Sequence, residues 1–320
     1  MNRTIDTLLL LALPASGKSE LRRYLAHLEP EIAEQDLHLG PTVQLDDYPY
    51  VHLMRRIGQE LELMGEPPIF FRDDATPFSD PRDWGTLVNL VNEDYQRLGI
   101  SAGRPESAAG WLFDRIDRAR IAVGAIPALG NLDRSIRDRL EQALDAEIAG
   151  AWEELAEVVS SWSEGDTVVI EFARGGPGGS TMPIEPPHGY TYSLGQLSPE
   201  ILDRASILYV WVTPEESRRR NNERARPGRD GDASILHHGV PEAVMRDDYG
   251  TDDLPWLIDQ AGGDAVRIES GGDATMIPTA VFDNRTDHTS FLRADFELWP
   301  PDQVEALHQE LGRAFERLVQ

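Results

Sequence analysis

The sequence contains no cysteine, and only one of its 320 residues is lysine, Lys18, which leaves 29 of the 30 basic residues as arginine. Without cysteine the chain can form no disulfide, no thiolate metal site and no cysteine nucleophile. The longest apolar run, residues 8–13, is far too short to span a bilayer, and the N-terminus lacks the pattern of a signal peptide. These absences predict a cytoplasmic protein with no membrane partner.

Positive charge is also scarce, because 56 acidic residues outnumber the 30 basic ones and give a formal net charge of −26. A field of that sign repels a nucleic-acid backbone, so we expect no nucleic-acid polymer as a partner. Hydrophobic residues make up 40% of the chain and aromatic residues 8%, which is enough to build a large core. The composition therefore predicts a folded protein without a nucleic-acid partner, and it does not identify a substrate.

Five apolar, β-rich runs recur along the chain at residues 7–13, 42–45, 167–172, 207–213 and 279–282, with helical patterns between several of them. This alternation predicts a three-layer α/β fold, in which a parallel sheet of about five strands is covered on both faces by helices. Roughly 120 residues separate the second and third runs, far more than a crossover helix needs. We therefore predict a helical insert at residues 72–165. It would divide a core formed by residues 1–71 and by residues 166–320, the second part carrying an arginine-rich lid and a C-terminal helix.

The single lysine lies in residues 12–19, Ala-Leu-Pro-Ala-Ser-Gly-Lys-Ser, directly after the first apolar run. A strand, a compact loop and a helix that begins near Lys18 would point backbone N–H groups and a helix dipole at a phosphate. A compact ammonium suits such a loop better than a planar guanidinium. Nucleotide binding is thus the leading interpretation.

Residues 12–19 resemble the Walker A loop of P-loop nucleoside triphosphatases, most closely the form found in small-molecule kinases, although Ala12 replaces the first glycine. The resemblance implies ATP and Mg²⁺ as cofactors. Lys18 would bridge the β- and γ-phosphates, and the hydroxyl of Ser19 would bind the metal. The residues expected to hold the nucleotide are Ala15, Ser16, Gly17, Lys18 and Ser19.

Two acidic residues, Asp46 and Asp47, follow the second run and should lie at the carboxyl edge of the sheet beside the loop. In the kinases that this chain resembles, an acid at this place commonly faces the acceptor hydroxyl or the metal. Asp46 and Asp47 are therefore candidate catalytic bases, and Tyr48 a candidate substrate contact. The alternative is a solvated turn or a helix cap.

Glu171 lies at the end of the third run, in a Walker B-like pattern, and is the second candidate metal ligand with Ser19. Arg174, Gly175 and Gly176 follow it, and glycines allow a substrate to approach the backbone closely. These three residues are candidate substrate contacts. A plain loop after the strand is the alternative.

An arginine-rich segment, residues 218–226, follows the fourth run and is arranged like the lid of a kinase. The resemblance implies catalytic roles over the phosphates for Arg220 and Arg224, and nucleotide binding for Arg226. Ordinary pairs with nearby glutamates are the alternative for each arginine. Asn284, after the last run, would contact the nucleotide or serve only the turn.

Together these patterns favour an ATP-dependent phosphotransferase that acts on a hydroxyl of a small metabolite. The alternative is a nucleotide-binding switch or sensor, or a slow nucleoside triphosphatase, that acts through a protein partner, because the same loop serves both functions. The acceptor, the choice between ATP and GTP and the oligomeric state do not follow from the sequence.

Overall fold

A computed structural model describes residues 4–224, 239–270 and 272–320 of the chain. The fold is α/β, with one six-stranded sheet of order β2-β3-β1-β4-β6-β5. All neighbouring strands are parallel except β5 and β6. The strands are β1 (Thr7–Leu11), β2 (Thr42–Asp46), β3 (Thr167–Phe172), β4 (Ala205–Trp211), β5 (Ala265–Ser270) and β6 (Asp273–Asp283).

The central strand β1 is buried along its whole length, as its uninterrupted apolar sequence predicts. Leu9 and Leu11 belong to one hydrophobic core, whereas Leu8 and Leu10 belong to another. Because successive side chains of a strand point to opposite faces, these two cores lie on opposite faces of the sheet. The sheet is therefore covered on both sides.

The helices in the described ranges connect these strands and form the covering layers. They are α1 (Lys18–Leu25), α2 (Pro30–Leu37), α3 (Tyr48–Leu63), α4 (Asp83–Tyr95), α5 (Ala108–Ala122), α6 (Arg134–Ser161), α7 (Gly189–Gly195), α8 (Pro199–Leu202), α9 (Pro214–Arg224), α10 (Glu242–Asp247), α11 (Leu254–Gln260) and α12 (Pro301–Leu318). None of these helices is both long enough and apolar enough to cross a membrane.

The prediction of about five parallel strands needs one correction, because β5 is a sixth strand and pairs antiparallel with β6 at the edge of the sheet. Val266 and Ile268 are buried, whereas Arg267 and Glu269 are exposed. An alternating strand of this kind contains too few apolar residues in succession to stand out beside the continuous runs of the buried strands.

The segment predicted as an insert contains α4, α5 and α6, and it shares a hydrophobic core with α3. Leu87, Phe113 and Leu144 from these three helices are fully buried in that core. Met245 of α10 and the adjoining Tyr249 belong to the same core. The insert therefore packs against the element that follows β2 and against the segment after residue 238.

The register of the sheet brings acidic residues of β2 and β3 together beside β1. Asp46 of β2 lies opposite Glu171 of β3, and Glu171 lies opposite Leu10 of β1. The loop of residues 12–17 leaves β1 at the same edge, because the carboxyl ends of parallel strands share one side of the sheet. This edge is where the sequence placed its candidate site.

Candidate functional site

The loop of residues 12–17 makes a tight turn through two residues with left-handed backbone, Ala15 at φ 55° and Gly17 at φ 107°. A side chain on Gly17 would lie 2.4 Å from Thr289 and 2.5 Å from Asn284, so that position needs glycine for space as well as for φ. Ala12 does not have a positive φ, and its methyl group is buried in the core. The alanine in place of the first glycine therefore imposes no left-handed strain on the loop.

Three side chains from distant parts of the chain hold the loop by its carbonyl groups. Tyr190 Oη donates to the carbonyl oxygen of Ala12 at 3.0 Å, and Ser217 Oγ donates to that of Pro14 at 2.7 Å. Asn284 Nδ2 donates to that of Ser16 at 2.6 Å. These hydrogen bonds use the carbonyl oxygens of the loop. The first backbone N–H groups of a helix have no acceptor within the helix, so those at the start of α1 are available to bind an anion.

The hydrogen bond from Asn284 to the loop gives a testable prediction. Asn284 is fully buried, donates also to Thr289 Oγ1 at 2.9 Å, and accepts from the backbone nitrogen of His288 at 2.7 Å. We expect Asn284→Ala to lower the free energy of unfolding by about 2–4 kcal/mol, because it leaves buried polar groups without partners. If the loop binds a nucleotide, as the sequence predicts, the variant should bind it more weakly, because the loop loses a constraint.

The measurement is a pair of thermal melts and nucleotide titrations on Asn284→Ala and on a control, Asn131→Ala, which changes an exposed asparagine. If both variants melt and bind like the unaltered chain, the tether does not shape the loop.

Lys18 is the first residue of α1 and turns back toward the loop, where its Nζ donates to the carbonyl oxygen of Ala12 at 3.2 Å. The residue is only 7% exposed. Burial lowers the pKa of Lys18, and the negative charges of Glu171, Asp47 and Asp46 oppose that shift. The ammonium group is thus a buried cation facing carboxylates, and it lies where the loop would receive a phosphate.

Asp46 and Glu171 share one cation, Arg22 of α1. Arg22 Nη1 lies 3.2 Å from Glu171 Oε2 and 3.6 Å from Asp46 Oδ2. Burial, followed by the charges of Glu171 and Asp47, raises the pKa of Asp46 to about 7. The sequence reasoning missed Arg22, although its position one helical turn after Lys18 was a usable signal.

Asp47 has a different environment from its neighbour, because it pairs with the buried Arg174. Arg174 Nη1 lies 2.7 Å from Asp47 Oδ2, although the alignment is not that of a hydrogen bond. Arg174 is 2% exposed, donates to Ser193 Oγ at 3.1 Å and stacks over the ring of Trp84. This arrangement positions Asp47, and Asp46 is the less tightly paired carboxylate of the two.

The glycines that follow Arg174 pack against another loop. A side chain on Gly175 would lie 2.4 Å from the carbonyl oxygen of Thr251, and the nitrogen of Gly176 donates to that same oxygen at 2.9 Å. The described residues that form the wall of the site include neither glycine, nor Arg174. The sequence reasoning grouped these three residues as substrate contacts, and the structure gives them packing contacts.

The two predicted catalytic arginines of the arginine-rich segment have different surroundings. Arg220 is buried, with Nε donating to Glu216 and Nη2 donating to the carbonyl oxygen of Asn284, both at 2.6 Å. Arg224, the last residue of α9, lines the cavity and donates to Glu20 Oε1 at 2.7 Å. Arg226 lies outside the described residues. Of the two predicted catalytic arginines, Arg224 is therefore the one that borders the site.

One cavity of about 470 Å³ connects these groups. Its polar side contains the loop, the start of α1 and the strand-end acids. Its apolar side comes from α3, from α4 and the segment between these two helices, and from the segment after residue 238. The wall includes Ala15, Ser16, Gly17, Lys18, Ser19, Arg22, Asp46, Asp47, Tyr48, Glu171 and Arg224 on one side, and Val51, Phe71, Phe78, Trp84, Val244, Asp248 and Tyr249 on the other.

The described residues contain no group of three or more histidine, aspartate or glutamate side chains arranged to hold a metal ion. Ser19 and Glu171, the two predicted ligands, both border the cavity. The hydroxyl of Ser16 is buried there and has no hydrogen-bond partner. These oxygen groups suit Mg²⁺, because that ion usually takes one or two protein ligands and completes its shell with water and phosphate.

No protein-family model matches this chain, and a comparison with curated proteins gives no match. The inference about function therefore depends on the residues of the loop, on the groups that share its cavity and on their chemistry.

Proposed function

We propose that this chain is an ATP-dependent phosphotransferase with a P-loop kinase-like fold, which transfers the γ-phosphate to a hydroxyl group of a small metabolite. The observation that carries the proposal is the single cavity that joins the loop of residues 12–19 to Asp46 and to an apolar wall. A volume of about 470 Å³ lies within the range usual for small-molecule sites. Phosphoryl transfer depends mainly on positioning two reactants and on stabilising charge.

On the donor side, the N–H groups at the start of α1 and the ammonium of Lys18 would hold the phosphates. Arg224 adds a second cation at the same wall. Ser19 and Glu171 would hold Mg²⁺, which supplies a positive charge to the phosphate oxygens when it is bound. Burial of Lys18 strengthens its attraction for these oxygens, because a low dielectric weakens screening.

On the acceptor side, Asp46 is the base that the geometry favours. A pKa of about 7 lets it lose its proton near neutral pH and still bind the proton of the acceptor hydroxyl. The acceptor oxygen would then bond to the γ-phosphorus, the bond from that phosphorus to its bridging oxygen would break, and ADP would leave. Asp46 would keep the proton until the product departs.

The alternative, a switch that acts through a protein partner, needs the phosphate loop but not an acceptor pocket. The cavity continues past the loop to a wall of aromatic and aliphatic side chains from α4 and from the segment before it, among them Phe71, Phe78 and Trp84. That extension favours an enzyme with a second substrate, since small-molecule sites are concave and mostly apolar.

The experiment is transfer of label from ATP with a labelled γ-phosphate into a pooled metabolite extract, in the presence of Mg²⁺. The unaltered chain is compared with Lys18→Met. We expect a labelled organic product with the unaltered chain alone. Label that appears only as inorganic phosphate, or that stays on ATP, would contradict the proposal and favour a switch.

A further inference from the structure

Asp248, at the C-terminal end of α10, is a buried carboxylate that accepts no hydrogen bond from the side chains that the structure describes. The residue is 4% exposed, lines the cavity, and has a buried Oδ2 with no partner. Within the described ranges, the one basic group within 4.0 Å is His188, whose Nε2 lies 3.7 Å from Asp248 Oδ1. That distance is longer than a hydrogen bond.

The other buried aspartates in the described ranges accept hydrogen bonds, except Asp47, whose Oδ2 accepts none but lies 2.7 Å from Arg174 Nη1. Asp253 accepts from Tyr190 and Thr191, Asp94 from Arg115 and Tyr50, and Asp83 from Arg120. An unpaired buried carboxylate is costly, and one at the negative end of a helix is more so. Asp248 is thus an exception, and it is found in the wall of the candidate site.

The surroundings of Asp248 on the cavity wall are aromatic and aliphatic. The ring of Tyr249, the next residue, meets that of Trp84 edge-on at 5.7 Å, and Trp84 meets Phe78 edge-on at 5.0 Å. Val244 and Pro241 complete this part of the wall. An anionic group in such a wall is suited to bind a cation, because water is scarce there and aromatic faces also attract positive charge.

The arginines nearest to this part of the wall already have other partners. Arg174 is paired with Asp47, and Arg55 stacks over Phe71 and donates to the carbonyl oxygen of Asp74 at 2.8 Å. Neither guanidinium lies within 4.0 Å of the Asp248 carboxylate. Among the described side chains, His188 at 3.7 Å is thus the one basic group that faces this carboxylate, and no arginine does, so the site is open to a cationic ligand.

We propose that the acceptor of this enzyme is an amino alcohol with an apolar ring, whose ammonium group binds the carboxylate of Asp248. Its ring would lie against Trp84 and Tyr249, and its hydroxyl would face Asp46. This inference rests on the proposed phosphotransferase function for the role of the hydroxyl. The ammonium site itself depends only on Asp248 and on the wall around it.

The test is calorimetric titration of the full chain, without nucleotide, with two probes that differ in charge. The first probe is 2-amino-1-phenylethanol, and the second is the neutral 1-phenylethane-1,2-diol. We expect the amine to bind at least about tenfold more tightly than the diol, because a hydrogen bond between charged groups adds to the apolar contacts.

Asp248→Asn should remove most of that preference: about tenfold weaker binding of the amine, and binding of the diol within about twofold of the unaltered chain. The matched control is Asp247→Asn, which changes an exposed carboxylate paired with Arg246 on the same helix. It should leave both titrations unchanged. If Asp248→Asn does not fold, Asp248→Ser provides the same comparison.

Amine binding that survives Asp248→Asn, or no binding of the amine at millimolar concentration, would overturn the proposal. A second assay separates it from the proposed function, because label transfer from ATP is measured independently. An amine that binds through Asp248 but never receives phosphate would contradict the phosphotransferase and leave the ammonium site intact. Transfer to another acceptor without amine binding would do the reverse.

Discussion

Lys18→Met is expected to lower phosphoryl transfer by about 10²–10³-fold or more, because the site loses the buried cation that meets the transferring phosphate. The shape of the side chain is largely kept, so the loop and α1 should still form. Met cannot replace the charge, and no second lysine exists elsewhere in the chain to take its place. The effect should be larger on turnover than on the stability of the fold.

The stability of this variant gives an independent check on the environment of Lys18. Since the pKa of Lys18 in the folded chain lies below its usual value of 10.5, the unfolded chain binds the extra proton more readily in the range between the two. In the unaltered chain this group makes stability rise as pH increases through that range. Lys18→Met should lack that rise, and it should be as stable as the unaltered chain, or more stable, at neutral pH.

Rates of label transfer and chemical denaturation over a range of pH measure these two effects. Arg204→Met is a suitable control, because it removes an exposed positive charge outside the cavity. Turnover by Lys18→Met equal to that of the control would remove the main support for a phosphate-binding role of the loop.

Asp46→Asn is expected to lower mainly the rate of transfer, whereas Asp47→Asn is expected to lower mainly the free energy of unfolding. Asp46→Asn should fold and lose about 10²–10⁴-fold in the rate of transfer, the contribution typical of a general base. Asp47→Asn should instead lose about 3–5 kcal/mol of stability, because it leaves the buried guanidinium of Arg174 without its carboxylate. Comparing the two variants thus distinguishes an effect on the rate of transfer from an effect on stability.

The pH dependence of the rate follows from the pKa of Asp46. If this carboxylate is the base, transfer by the unaltered chain should fall as pH decreases below about 7, where the group becomes protonated. The contribution of Asp46 to the free energy of unfolding changes with pH in the opposite direction. The folded chain keeps this proton up to a higher pH than the unfolded chain, so the group destabilises the fold as pH rises from about 4 to about 7. Asp46→Asn should remove that loss.

Initial rates and denaturation midpoints between pH 5 and pH 9 give both quantities for the two variants. A normal rate in Asp46→Asn, together with a lost rate in a well-folded Asp47→Asn, would exchange the roles of the two residues. A normal rate in both would mean that neither is the base.

The sequence was sufficient to predict those features that depend on consecutive residues. The apolar run at the start of β1, followed by residues 12–19, predicted a strand, a loop and a helix that begins at Lys18, and the structure has that order. The regular recurrence of apolar runs also predicted the parallel part of the sheet. In both cases local pattern and tertiary environment agree, because the central strands are buried on both faces.

The contacts of individual polar side chains were beyond the sequence, because they are set by residues far along the chain. Arg174 was a candidate substrate contact, yet it is buried against Trp84 and Ser193. Arg220 looked like part of a mobile lid, yet it binds the backbone at Asn284. Asp248 showed no motif at all, and only the packing of α10 against the insert gives it significance.

The three tethers of the loop also have a consequence for how the chain folds. Tyr190, Ser217 and Asn284 come from segments that follow β3, β4 and β6, so the loop acquires its final shape only when β3 and β4 have paired with β1 and β6 has paired with β4. A partly folded chain would therefore lack the final shape of this loop even if α1 had already formed. The affinity of the proposed nucleotide would then be linked to cooperative folding of the sheet, and a ligand bound at the loop would stabilise the folded sheet as a whole.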